Sequence, residues 1–145
     1  MSDPSGLDQD VAEVTELNAD FYRAFERGDL DAMTEIWLDD PGTLCVHPGA
    51  EPLRGAGRIT RSWALIMANV TYIQFFLTDV EVRVDGDTAY VSCNENVLTA
   101  GEANDDSAFT GGRAIATNVF LRKGDTWRLW IHHASPVVSV EHHDD

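Results

Sequence analysis

Trp37-Leu38-Asp39-Asp40-Pro41-Gly42-Thr43-Leu44-Cys45-Val46-His47-Pro48-Gly49 is the stretch that decides the fold. Leu30, Met33, Ile36 and Trp37 recur at helical spacing, so its first part ends an amphipathic helix. Pro41 and Gly42 stop that helix. Thr43 to His47 then read as a short strand, closed by the Pro48-Gly49 turn. A histidine is thereby delivered to the tip of a strand, beside a large aromatic ring from the preceding helix. That is how a lined pocket is built.

Upstream, Val11, Val14, Leu17, Phe21, Ala24 and Phe25 fall on one face of a helix over Leu7 to Arg27. Gly28 ends it, since a residue without Cβ takes the left-handed cap conformation at no steric cost. Asp29 caps the next helix, about Leu30 to Leu38. Downstream, Ala50 to Arg54 reads as a loop. A third helix over Arg58 to Asn69 carries Ile59, Trp63, Ile66 and Met67 as its apolar stripe. The remainder reads as four strands in a meander: Tyr72 to Val84, Thr88 to Thr99, Arg113 to Lys123 and Thr126 to Ser135. Asp85-Gly86-Asp87 and Gly124-Asp125 supply turns. Gly101 to Gly112 reads as a mobile loop near a pocket mouth or as a hairpin extension.

This order predicts an α+β domain in which three N-terminal helices are wrapped by a curved, cone-shaped antiparallel or mixed sheet. Such a cone leaves a blind, largely apolar cavity with a few inward polar groups. The expected division is a flexible lead over residues 1–10, one domain over 11–137 and an acidic tail over 138–145.

Composition narrows the partners. The chain has 145 residues, 43% of them hydrophobic, enough for one packed domain. Its formal net charge of −15, from 25 acidic and 10 basic side chains, argues against nucleic acid and anionic membrane surfaces. It also repels anionic ligands, unless an arginine locally reverses the field. The first ten residues lack a signal-peptide pattern, and no apolar run nears the roughly 20 residues that span a bilayer, so the expectation is a cytoplasmic protein. Cys45 and Cys93 read as reduced, buried small hydrophobes, with a disulfide between them the lesser alternative.

Several segments in this order resemble the SnoaL-like and ketosteroid-isomerase-like proteins of the nuclear transport factor two-like superfamily. They are Phe21 to Phe25 with Gly28-Asp29-Leu30, the Trp37 to Gly49 stretch, Leu53-Arg54-Gly55 before Ile59, and Ser62-Trp63. Thr117 to Phe120 and Trp127-Arg128-Leu129 leading to His132 through Pro136 complete the set. The resemblance implies a cystatin-like roll over about Val11 to Val137 and a homodimer formed through the outer sheet face. It says little about reaction, because the fold hosts isomerases, cyclases, hydrolases, dehydratases and association modules. In the steroid isomerases the base is a carboxylate, and a tyrosine and a protonated aspartate stabilise the oxyanion. By position those places fall to His47, Phe21 (with Tyr22 beside it) and Asn118, so all three differ.

The residues admit paired readings. His47 is either a general base or a hydrogen-bonding structural imidazole. Val91, Cys93 and Glu95 share a strand face. If that face is inward, Glu95 is a buried carboxylate with His47 as candidate partner; in the opposite phase Asn94 is inward instead. Asn118, on an apolar face with Ala116 and Phe120, binds ligand or satisfies backbone. His132 is assigned to the cavity together with Trp130 and Ala134, and His133 to the outer face. Tyr22, Trp37, Trp63 and His132 are the expected ligand contacts, with His47, Asn118 and Glu95 catalytic. No metal or other cofactor is expected, since His132 and His133 face opposite sides and no Glu-x-x-His pattern occurs. Three functions follow: an isomerase-, cyclase- or dehydratase-like enzyme acting on a small apolar or aromatic carbonyl compound, a non-catalytic binder of such a molecule, or a homodimeric association module.

Overall fold

A computed structural model describes residues 4–100 and 109–138. The elements are α1 (Pro4–Arg27), α2 (Leu30–Ile36), β1 (Leu44–Val46), β2 (Leu53–Arg54), α3 (Ala56–Asn69), β3 (Ile73–Asp85), β4 (Thr88–Ala100), β5 (Phe109–Lys123) and β6 (Thr126–Pro136). The strands form one curved, unclosed, mixed sheet in the order β2-β1-β6-β5-β4-β3. Every neighbouring pair is antiparallel except β1 with β6. This is the α+β roll of three helices against a bent sheet that the sequence predicts.

Local chemistry sets the helix ends. Gly28, at φ +64°, closes α1 in a Schellman arrangement: its N–H donates to Phe25 O at 3.1 Å and the Asp29 N–H to Ala24 O at 2.9 Å. Asp29 then caps α2, its carboxylate accepting from the Ala32 N–H at 3.1 Å. The helix α1 begins at Pro4, ahead of the boundary at residue 10 drawn from composition. Residues 1–3, the 101–108 part of the expected loop and residues 139–145 of the expected tail lie outside the described residues. The loop's other end, Phe109 to Gly112, is strand, which agrees with the hairpin-extension reading.

Two departures from the read topology matter for the site. Leu53–Arg54, expected as loop, pairs with β1 as a short edge strand. The stretch around Leu38 to Val46 also docks on β6. Leu38 N–H donates to Leu129 O at 2.8 Å, and Leu44, Cys45 and Val46 lie parallel to Ile131, His132 and His133. The buried Thr43 hydroxyl donates to Leu38 O at 2.8 Å and holds the turn between them.

Bulges bend the long strands. In β3 the register slips between Thr78 and Glu81, where Asp79 takes φ +51° and its carboxylate accepts from the Asn94 amide at 2.7 Å. In β6 the register slips opposite Val119/Phe120. Trp127 and Leu129 point inward before that slip, and His132 and Ala134 after it. His132 therefore faces inward as expected, but without Trp130: the extra residue reverses the alternation on which that pairing rested.

The inner faces of the sheet and helices close over one core that includes Val14, Phe21, Met33, Ile59, Trp63 and Phe120. Cys45 and Cys93 are free thiols within it. No described helix is long and apolar enough to cross a membrane.

Candidate functional site

The core is incomplete at one end. There the inner faces of α1, α3 and β3–β6, with the turn after β1, leave a cavity of about 260 Å³. Phe25, Ile73, Phe75 and Val97 supply much of its apolar wall, and Tyr22, His47, Glu95, Arg113 and His132 its ionisable groups. Helical spacing brings Asn18, Tyr22 and Phe25 of α1 to one side. Strand alternation brings Val91, Cys93 and Glu95 inward from β4, and Ala114, Ala116 and Asn118 from β5. Glu95 is buried in this phase, and Asn94 is the residue on the other face.

Behind the cavity wall lies a continuous hydrogen-bond chain. The register sets Asn118 directly opposite His132. The Tyr22 hydroxyl donates to Glu95 Oε2 at 2.6 Å. It therefore accepts from Asn118 Nδ2, 3.2 Å away. The same amide nitrogen donates to Asn18 Oδ1 at 2.8 Å. That leaves Asn118 Oδ1 to accept from His132 Nδ1 at 2.5 Å, so the proton of His132 is on Nδ1. Its Nε2 is then a bare lone pair with no partner among the described residues.

Burial governs the titrations. His132 is pushed down to about 3, first by desolvation and then by the neighbouring His47 and His133. Desolvation also lowers His47. It raises Glu95 above the ordinary carboxylate range, partly offset by the Tyr22 hydrogen bond. Tyr22 is raised by burial and then by the Glu95 charge, so it stays a phenol. Desolvation pushes Cys45 up to about 12 and Cys93 up to about 11, which removes both as nucleophiles near neutrality.

Three expected placements are corrected. Glu95 pairs with Tyr22, whereas His47 Nε2 lies 2.8 Å from Ser62 Oγ on α3 and its ring meets Trp63 edge-to-face at 4.9 Å. Asn118 lies one layer behind the lining, with both amide hydrogens engaged by Asn18 and Tyr22. Trp37 is core: it packs edge-on to Phe21 at 6.1 Å and does not line the cavity, because its backbone bridges to Leu129 and turns the ring away. Tyr22, Trp63 and His132 do line the cavity. Ser62 and Asn18 were missed as partners. A polar residue inside the apolar stripe of α1 was the available signal for Asn18, whereas nothing local marks Ser62 as the partner of a histidine fifteen residues earlier. Among the described residues, no three His, Cys, Asp or Glu side chains are placed to hold a metal ion.

Residues 14–139, nearly the whole of this fold and every group just named, match the SnoaL-like domain. The chain belongs to the SnoaL-like domain family. A solved structure of a proposed dehydratase of the NTF2-like family from Streptomyces avermitilis is 50% identical, with TM-score 0.85, over 91% of this chain and 99% of that one. A proposed calcium/calmodulin-dependent protein kinase type II association domain from Thiobacillus denitrificans is 31% identical, with TM-score 0.73, over 84% of this chain and 93% of that one. The F-box protein SKIP8 of Arabidopsis thaliana is 26% identical over 128 residues, 88% of this chain. This SnoaL-like chain spans about half (51%) the length of that curated relative.

Proposed function

We propose that the chain is a cofactor-independent acid–base enzyme acting on a small, largely apolar carbonyl compound, with elimination of water the favoured reaction within the isomerase, cyclase and dehydratase class. The observation that carries this is the meeting of a neutral imidazole and a raised carboxyl across one apolar cavity. His47 takes the proton from the carbon next to the carbonyl. The electron pair forms the new C=C bond, and the C–O bond to the β-hydroxyl breaks. Glu95, its carboxyl raised by burial and held by Tyr22, delivers a proton to the departing oxygen, which leaves as water. Asn118 acts through Tyr22 and His132, fixing the orientation of the first and the tautomer of the second. The 50% identity to a proposed dehydratase supports the same reading.

The test is turnover of β-hydroxycarbonyl compounds of this size by wild type, His47→Ala and Glu95→Gln, with folding checked by circular dichroism. Loss of turnover with ligand affinity retained is expected. Unchanged turnover in His47→Ala removes the assignment.

A second reading, a binder without turnover, is favoured by one feature: Tyr22, Asn118, His132 and Glu95 are already hydrogen-bonded to one another. Binding without conversion, with His47→Ala altering affinity alone, selects it. A homodimer through the outer sheet face, where Phe76, Tyr90 and Ile115 are exposed, suits either reading. Sedimentation as a monomer at micromolar concentration removes that part.

A further inference from the structure

His47 borders two hollows. One is the cavity described above, and the other is an outer groove along α3 that also takes in Ser62. The floor of this groove is apolar, made by Ala50, Leu53, Leu65 and Ile66, and Leu65 is 66% exposed. Arg58 and Arg61 flank it. Positions 58, 61 and 65 are three and four residues apart, so these side chains share one helical face.

The groove's lining holds two arginines and no Asp or Glu, although the exposed Glu51 lies between Ala50 and Leu53. The chain carries 25 acidic and 10 basic residues, yet from Pro52 to Thr78 it has no Asp or Glu and three arginines, at 54, 58 and 61. Arg23 is neutralised by Glu16 and Asp20, and Arg122 by Asp10 and Asp87, whereas Arg27, Arg83, Arg113 and Arg128 have no ion pair among the described residues. Arg58 and Arg61 have no ion-pair partner among the described residues. Two free guanidinium groups over an apolar floor complement an amphipathic anion, and they reverse locally the field that would repel it.

We propose that the groove is a capture site for a small carboxylate-bearing amphiphile, its chain on Leu53, Leu65 and Ile66 and its carboxylate between Arg58 and Arg61, so that the substrate class of the adjoining site is anionic. This deepens the enzymatic reading and rests on it for its consequence, but capture itself is measurable without turnover. An anion held there lies on the outer side of His47 and favours its protonated form, which strengthens it as a proton acceptor during reaction.

The experiment compares octanoate with octylammonium, two eight-carbon chains of opposite charge, by titration into the full-length protein with two-dimensional amide NMR as readout. Octanoate is expected to bind more tightly and to shift Arg61, Ser62 and Leu65. Arg58→Glu/Arg61→Glu, both at exposed positions, is expected to weaken octanoate about tenfold or more, as loss of charge-assisted contacts requires. Ala114→Leu, which narrows the cavity from β5 and does not line the groove, is expected to leave octanoate binding unchanged. Equal affinity for the two probes, or unchanged octanoate affinity in the double arginine variant, overturns the proposal. So does loss of octanoate binding in folded Ala114→Leu, since it would put the anion in the cavity. Failure of the enzymatic reading is separately visible as absence of turnover in a protein that still captures octanoate.

Discussion

Lowering the pH from 7 to 5 tests whether His132 is held neutral by its surroundings. Folded, its pKa is about 3, and unfolded it returns to about 6.5. Between these values the unfolded chain binds a proton that the folded chain refuses, so stability falls as pH falls. At about 1.36 kcal/mol per pKa unit, the His132 share of stability lost is about 2 kcal/mol from pH 7 to pH 5, and about 3 kcal/mol by pH 4. His47, also lowered, acts in the same direction. Glu95 acts in the opposite one, because a raised carboxyl regains stability on acidification. The wild-type curve therefore mixes signs, and a comparison isolates the residue. His132→Gln cannot titrate but keeps an amide donor for Asn118. Urea unfolding at pH 7, 6 and 5 should show wild type losing about 2 kcal/mol more than this variant over the interval. NMR of the His132 ring should show no titration down to pH 5. Equal losses in both proteins, or a folded-state titration near 6.5, refutes the argument that desolvation and Asn118 keep the ring neutral.

Other expectations follow from the same geometry. Tyr22→Phe strands one Asn118 N–H and one Glu95 oxygen, and should cost about 1–3 kcal/mol in chemical unfolding. Gly28→Ala forces a side chain into the left-handed region and should lose about 1–2 kcal/mol, read as a lower unfolding midpoint. Trp37→Phe should lower stability through lost core packing while leaving the affinity of any cavity ligand unchanged, since Trp37 does not line the cavity. A matching loss of affinity would return Trp37 to the site.

The sequence disclosed what depends on local period and local punctuation. Helices α1–α3 follow from apolar stripes, their joint from Gly28-Asp29, and the inward phase of Glu95 from its spacing to Val91 and Cys93. What it hid depends on contacts distant along the chain or on a broken period. The parallel pairing of β1 with β6 leaves no local trace, because neither strand's pattern specifies its neighbour. Two-residue β2 is too short to show alternation. The bulge in β6 inserts one residue and swaps the faces beyond it, so Trp130 and His132, two apart, do not share a side. Trp37 was misplaced because helical spacing tells which residues are buried, but not whether they meet solid core or hollow. The Ser62 contact to His47 joins a helix to a turn, and no periodicity in either predicts it.

Because β1 lies parallel to β6, with paired residues 87 positions apart, the histidine that follows β1 waits on residues made much later. During synthesis, the helices and the first long hairpin are complete while the cavity still lacks its last wall and His47 its platform. Competence for ligand is therefore reached only once β6 is made, and a cut between β5 and β6 would disable both imidazoles at once, however distant it is from position 47 in sequence.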